Sequence, residues 1–293
     1  MASRRARRDA GLGYALVGPS LALFGLVYLY PVAYSAYVSV FQWDLMTPKR
    51  YVGLANYREL WSPEFGEVLV NTACYSGGVV LLALALGLGL ALLLNHRGAW
   101  SAALQACIFS SYIVSWVAVS LLWIWMLDPQ YGLVTYGLRL VGLPAVNWLG
   151  SPAVALWTLV LVTVWKTLGY PMIIYLAGLQ AIPGDFYEAA ALDGATGWNR
   201  FRFITWPLLS PTTLFLVVTL TIASFQGFDI VKIMTGGGPI TSTMIYVYYI
   251  YEQAFQYFKL GKASAAVVIF FALILFLTLA QWALFRRRVH YTV

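Results

Sequence analysis

The chain has 293 residues, of which 61% are apolar and only 10% charged. A water-soluble domain carries roughly 25% charged residues, so this composition excludes a soluble globular enzyme and leaves a bilayer as the solvent for much of the chain. The net charge of +7 does not argue for nucleic acid, because the basic residues cluster beside apolar runs, where they orient a chain in a membrane.

Six apolar runs are long enough to cross a hydrocarbon core as helices, which takes about 20 residues. They cover residues 11–40, 68–94, 104–127, 153–177, 208–231 and 263–285. Backbone polar groups in lipid must be paired internally, so helices follow, and the runs lack the period-two alternation of barrel strands. The expected fold is therefore all-α and integral to the membrane, with six transmembrane helices in a single domain spanning residues 1–293.

The first run follows "MASRRARRDA". A signal peptide has an apolar region of about 7–15 residues; this run is about twice as long and reads as a retained first helix that Pro19 and Pro31 kink or shorten. Two connecting segments, residues 43–67 and 240–262, are rich in Tyr, Trp and Phe. Such amphipathic rings suit the membrane interface first and a docking surface for an outside partner second. Cys74 and Cys107 lie inside apolar runs and read as small buried hydrophobes. His96 and His290 are isolated, so neither a metal-ligand cluster nor a nucleophile–base pair is in view.

Lys and Arg set the orientation. With the N-terminus inside, ten fall on inner segments: Arg4, Arg5, Arg7, Arg8, Arg97, Arg200, Arg202, Arg286, Arg287 and Arg288. Seven fall on outer ones: Lys49, Arg50, Arg58, Arg139, Lys232, Lys259 and Lys262. The two terminal clusters abut the first and last runs and decide the matter. Both termini, and the loop at about 183–207, are then cytoplasmic.

That loop is unusual in so apolar a chain. "PGDFYE" starts a helix, with Asp185 able to cap and Glu188 at capping-box spacing. "EAAAL" is strongly helix-forming, and Gly194 suits a left-handed stop. Thr196 can cap a second short helix, "WNRFRFI", which Pro207 ends or redirects. Trp198, Phe201 and Ile204 can pack on the rest of the domain. Alanines beside a tight turn make a surface that another protein can approach closely.

Glu188-Ala189-Ala190, three residues, Gly194, nine residues, then Ile204-x-x-Pro207 resembles the EAA loop of binding-protein-dependent ABC importers, with Trp206 where the family usually has Leu. "LGYP" at 168–171, "TGGGP" at 235–239 and the six-span layout match as well. The resemblance covers nearly the whole chain and is closest to sugar-importer permease subunits of the maltose and glycerol-phosphate type. It implies an inner-membrane permease that is not itself an enzyme. It further implies a second permease subunit, two ATPase subunits that bind ATP and Mg, and an extracytoplasmic solute-binding protein. The loop would be a coupling helix, with Glu188 as polar anchor to an ATPase, Ala189 and Ala190 allowing close contact and Gly194 setting the turn. No cofactor is expected on this chain.

The same resemblance implies a solute path. In "VWKTLGYPMII", Trp165, Gly169 and Met172 fall at i, i+4 and i+7, and an indole face suits the apolar face of a sugar. Lys166 is a cation at membrane depth; it either faces a cavity or is paired inside the bundle. In "LTIASFQGFDIV" the resemblance selects Leu220, Ser224 and Gly227. Composition alone selects Gln226 and Asp229, which on a straight helix point largely away from Ser224. The resemblance implies a neutral mono- or oligosaccharide as substrate, with glycerol 3-phosphate or a related phosphodiester as the alternative. An ion-driven secondary transporter would show a doubled half with inverted symmetry, and a membrane enzyme would cluster His, Asp or Cys at one face; neither pattern is present in the sequence.

Overall fold

The structure is a computed structural model, which describes residues 14–96 and 98–285. The terminal arginine clusters, Arg97, His290 and the first three residues of the first predicted span lie outside the described residues. The chain is mainly helical. In order it forms α1 (Tyr14–Val38), a short antiparallel pair β1 (Phe41–Gln42) and β2 (Arg50–Tyr51), α2 (Ala55–Leu60) and the long α3 (Pro63–Leu94). Then come α4 (Ala99–Ile113), α5 (Trp116–Met126), α6 (Leu133–Leu140), α7 (Ala155–Thr167) and α8 (Gly169–Gln180). The remainder is α9 (Gly184–Leu192), α10 (Gly197–Leu208), α11 (Ser210–Phe225), α12 (Phe228–Met234), α13 (Tyr246–Tyr251) and α14 (Leu260–Phe285).

Among the described residues, α1, α3 and α14 are continuous helices long and apolar enough to cross a membrane. Three further stretches qualify only as bent pairs: α4 with α5 at 100°, α7 with α8 at 48°, and α10 with α11 at 62°. The predicted third run, 104–127, is therefore not one straight helix. Val114 and Ser115 adopt extended backbone, with ψ of 143° and 140°, and divide it.

The chain divides into two compact units. One comprises the described residues up to Ser62 together with Ile250–Ala272; the other comprises Pro63–Tyr249 and the described residues from Leu273 onward. In the first unit, Asn56 donates to the Ser39 and Phe41 carbonyls at 2.7 and 2.9 Å, tying α2 to the chain leaving α1. Lys262 pairs with Glu59 at 3.3 Å.

In the second unit α3 is the central post. Val68, Thr72, Tyr75, Val79, Ala83 and Ala91 are buried at intervals of three or four residues or multiples of them, the spacing that keeps one helical face inward. That face packs along α7, α8 and α11. Met172, Tyr175, Leu176, Leu209 and Leu216 complete the core around Ala83 and Ala91. Small residues let the axes approach: a Cβ at Gly87 would stand 2.9 Å from Pro171, the close contact that membrane helices use in place of a hydrophobic driving force.

Two expectations change here. The aromatic segment after α12 is not interfacial throughout, because Tyr246, Tyr248 and Tyr249 are buried. It is pinned to α3 by polar bonds: Asn71 donates to the Thr241 carbonyl at 3.0 Å, and Thr72 accepts the Tyr246 N–H at 2.8 Å. Cys74 and Cys107 are exposed rather than buried; with lipid as solvent, an apolar side chain gains nothing by turning inward.

Candidate functional site

The loop between α8 and α11 starts from Pro183, whose extended ψ of 138° launches α9. Asp185 is not the cap expected from the sequence. It lies in the first turn and makes no capping bond, because proline's fixed φ already sets the helix start; the carboxylate there faces the positive end of the helix dipole. α9 ends in a Schellman turn. The Ala195 N–H reaches the Ala190 carbonyl at 2.9 Å, the Gly194 N–H reaches the Ala191 carbonyl at 3.2 Å, and Gly194 has φ of +72°. Arg200 Nε closes the turn from outside by donating to the Ala195 carbonyl at 3.1 Å.

Thr196 precedes α10 with extended backbone, but its hydroxyl makes no capping bond. A π-helical turn over Phe201–Thr205 comes just before Pro207. The wider turn relieves the clash a proline ring makes with the carbonyl four residues back. α9 turns Ala190 inward and anchors through Tyr187, whose hydroxyl lies 3.0 Å from Thr205 Oγ1. Its other face is open: Phe186 is 44% exposed, Leu192 is 90% exposed, and Glu188 and Ala189 are exposed between them. Among the residue pairs described, Glu188 makes no hydrogen bond or ion pair.

A cavity of about 300 Å³ opens among the apolar helices of the same unit. Tyr75 and Val79 of α3, Tyr112 and Trp116 at the α4–α5 junction, and Thr163 and Thr167 of α7 form its walls. Leu220, Ala223 and Ser224 of α11, with Gln226, Gly227, Asp229 and Ile230, close it. A larger pocket of about 640 Å³ lies in the other unit, between the β1–β2 region and the segment before α14. There Asp44 accepts from the Thr47 hydroxyl at 2.7 Å and from the Thr47 and Met46 amides. These bonds, the Thr47 hydroxyl first, hold the Asp44 carboxyl below its ordinary range.

Of the residues expected on the solute path, the structure brings Leu220, Ser224, Gly227, Gln226 and Asp229 to the cavity. Gln226 and Asp229 do not point away from Ser224, as they would on a straight helix. α11 ends at Phe225 and α12 begins at Phe228, so the chain turns at Gln226–Gly227 and both side chains swing onto the Ser224 side. The turn is tightly packed: a Cβ at Gly227 would stand 2.8 Å from the Tyr75 hydroxyl.

Trp165, Gly169, Met172 and Lys166 do not line the cavity. Trp165 is 45% exposed and meets Trp123 edge-on at 5.4 Å. Gly169 lies where a Cβ would come 2.6 Å from the Phe109 backbone, so it serves the α4–α8 contact. Met172 is wholly buried in the core. Lys166 is 3% exposed; its ammonium donates to the Tyr112 carbonyl at 3.0 Å and lies 4.6 Å from the Trp116 ring centre. The cavity side of α7 is instead Thr163 and Thr167. Their i, i+4 spacing on one face of a mainly apolar helix is a signal available in the sequence. Tyr75, Tyr112 and Trp116 carried no such signal, because aromatic residues are common throughout the chain.

Long apolar helices, several broken around a small polar-lined chamber, define an integral membrane transport protein. The family model for the "binding-protein-dependent transport system inner membrane component" matches residues 83–290. The chain is 36% identical over 284 residues to the trehalose/maltose transport system permease protein MalF of Thermococcus litoralis, covering 95% of each chain. It is 35% identical to the sulfoquinovosyl glycerol transport system permease protein SmoG of Agrobacterium fabrum, over 96% of this chain and 92% of that one. It is 34% identical to the sn-glycerol-3-phosphate transport system permease protein UgpA of Yersinia pestis bv. Antiqua, covering 96% of each.

Two crystal structures share the fold. A chain of a bacterial ABC transporter involved in import of the acidic polysaccharide alginate superposes with a TM-score of 0.85 at 25% identity, covering 98% of this chain and 99% of that one. A chain of bacterial alginate ABC transporter in complex with alginate pentasaccharide-bound periplasmic protein gives 0.86 at 27% identity, covering 99% of each. The present chain belongs to the family of inner membrane components of binding-protein-dependent transport systems, and it is a transport permease rather than an enzyme.

Proposed function

We propose that this chain is one of two permease subunits of an ATP-driven importer and that it passes a neutral sugar through the chamber. In this reading both compact units belong to one transmembrane domain of six spans, three of them bent, with both termini in the cytoplasm. The α9–α10 loop is the coupling element: Glu188 anchors to an ATPase, Ala189 and Ala190 allow close contact, and Gly194 sets the turn. Phe186 and Leu192 are exposed on the outward face beside Glu188 and Ala189, which leaves that face open to a partner and supports that role. ATP and Mg bind to the ATPase subunits, and a solute-binding protein delivers the substrate from outside.

The observation that carries the substrate class is the lining. Two aromatic rings, Tyr112 and Trp116, stand with the hydroxyls of Thr163, Thr167 and Ser224, and Asp229 is the charged side chain among them. Rings cover the apolar face of a sugar and hydroxyls meet its polar edge. No basic side chain is among the residues lining the chamber. The relatives named for glycerol-phosphate and sulfoquinovosyl glycerol transport favour a second reading, an anionic solute. Uptake by the importer reconstituted with its binding protein separates the two. Saturable uptake of a neutral mono- or oligosaccharide that excess glycerol 3-phosphate leaves unchanged is the expected result; uptake of the phosphate alone overturns it.

A further inference from the structure

We propose that Lys166 is a positioning residue: it holds the break between α4 and α5 open and thereby sets the Tyr112–Trp116 wall of the chamber. In a continuous α-helix the Tyr112 carbonyl would accept the N–H of Trp116, four residues on. Here α4 stops at Ile113 and α5 restarts at Trp116, with the two axes at 100°. The carbonyl freed by that break takes the Lys166 ammonium at 3.0 Å.

Five further contacts tie the same junction together. The ammonium stands 4.6 Å from the Trp116 ring centre and 5.6 Å from that of Tyr112, so rings on both sides of the break share one cation. The Ser111 hydroxyl reaches back to the Trp165 and Lys166 carbonyls at 3.3 and 3.2 Å, at the C-terminal end of α7. Tyr112 stacks on Tyr170 of α8 at 5.5 Å and 18°. Two broken spans, α4–α5 and α7–α8, thus meet at a single side chain. Among the described residues no carboxylate lies within ion-pair distance of Lys166. Its bonding is therefore to a main-chain oxygen and two π-faces, all on the residues that flank the break.

This geometry explains a cation that is buried in the helix bundle yet absent from the chamber lining. Its charge stabilises the wall, and the solute meets the rings the wall presents. Removing the ammonium returns the Tyr112 oxygen to the Trp116 N–H, which favours a straighter α4–α5 and moves both rings.

The inference rests on the chamber being the solute path, and the experiment keeps the two apart. The complete importer is placed in lipid nanodiscs and its backbone hydrogen exchange is followed at Val114–Trp116 in the parent, Lys166→Met and Lys166→Arg. Uptake is measured on the same complexes in vesicles. In Lys166→Met, exchange at these amides should slow at least tenfold and uptake should fall at least tenfold, while Lys166→Arg, which keeps a charged donor, restores both. Parent-like exchange in an assembled Lys166→Met complex overturns the proposal. If Lys166→Met does not assemble, Lys166→Gln is read in its place, and parent-like exchange there overturns it equally. Ser224→Trp, which fills the chamber and leaves the junction alone, tests the path separately. Normal uptake in that variant removes the chamber from the path without touching the exchange result.

Discussion

Tyr75 Oη and Thr163 Oγ1 lie 2.8 Å apart, a hydrogen bond that joins the long third helix to the seventh at the edge of the chamber. The same phenol occupies the space beside Gly227 where a side chain would begin. One buried tyrosine therefore makes a helix–helix hydrogen bond and also packs against the turn that divides the fifth apolar run.

Gly227→Ala places a methyl 2.8 Å from Tyr75 Oη and 2.9 Å from its Cε1. Overpacking of this kind costs about 1–3 kcal/mol. The variant should melt several degrees below the parent and lose most uptake, because Gln226 and Asp229 are displaced with the turn. Adding Tyr75→Phe should recover only part of the loss, since the ring edge still collides. A thermal-shift assay beside uptake reads both; a parent-like Gly227→Ala would show that the contact is not tight.

The Tyr75–Thr163 bond should respond unequally to loss of either partner. Tyr75→Phe leaves a Thr163 hydroxyl that can turn to a carbonyl of its own helix, as Thr167 does at 2.8 Å to Thr163, and should cost about 1 kcal/mol. Thr163→Val strands a buried phenol and should cost about 1–3 kcal/mol. Equal losses in denaturation of the purified complex would contradict this order.

At Gly194 the space is open, as a Cβ would meet nothing within 4 Å, but φ is +72°. The penalty for a side chain is then purely conformational. Loss of ATPase association should rank Val worst, then Ala, then Asn, which tolerates left-handed backbone. Glu188→Lys and the pair Phe186→Ser with Leu192→Ser should weaken ATPase association without altering the turn. Pull-down of the ATPase and the ratio of uptake to ATP hydrolysed measure these effects. Variants that bind and couple like the parent would take the loop out of the ATPase interface.

Cysteine labelling tests the membrane orientation. Met46 and Ile240 are each 87% exposed, and Leu192 is 90% exposed. Met46→Cys and Ile240→Cys should react with an impermeant reagent added to intact cells, and Leu192→Cys only after lysis. Asn56, in the same segment expected to lie outside, is a poor reporter because it is 6% exposed and holds two carbonyls.

The Asp44 turn should be sensitive to acid. Its carboxyl titrates below the ordinary range because Thr47 and Met46 donate to the ionised form. A lowered folded-state pKa means that the contribution is complete above the unfolded value of about 3.9 and is lost as pH falls through the folded one. Amide exchange at Thr47 should therefore be protected at pH 5 and lose that protection only as pH falls past the ordinary carboxylate value of about 3.9 and through the lower folded one. Asp44→Asn should be nearly indifferent to the same change.

What the sequence revealed follows the range of the forces involved. The Gly194 turn is written locally, in a helix-forming run followed by the residue that tolerates positive φ. The apolar runs are equally plain, because every residue in them reports the same solvent. The breaks are not local. Val114–Ser115 contains neither glycine nor proline, and the chain parts there where Lys166, about 50 residues on, takes the freed carbonyl. Gln226 and Asp229 face the chamber because the helix breaks at Gln226–Gly227, where Tyr75 of another helix packs against Gly227. Trp165, Gly169 and Met172 share a helical face by spacing, but α7 and α8 meet at 48° at Leu168. A face drawn through that bend has no continuous counterpart in space.

The turn after Leu192 is closed by main-chain atoms at Ala190, Ala191, Gly194 and Ala195, with Arg200 reaching in from behind. None of the outward side chains, Phe186, Glu188, Ala189 or Leu192, takes part in it. The shape of the loop and its vocabulary are thus independent variables. Under the coupling role proposed for this loop, substitutions on that face should alter which ATPase is recognised, and how tightly, while the turn beneath keeps its form. Swapping these few side chains between paralogous importers would be a direct route to exchanging their motors.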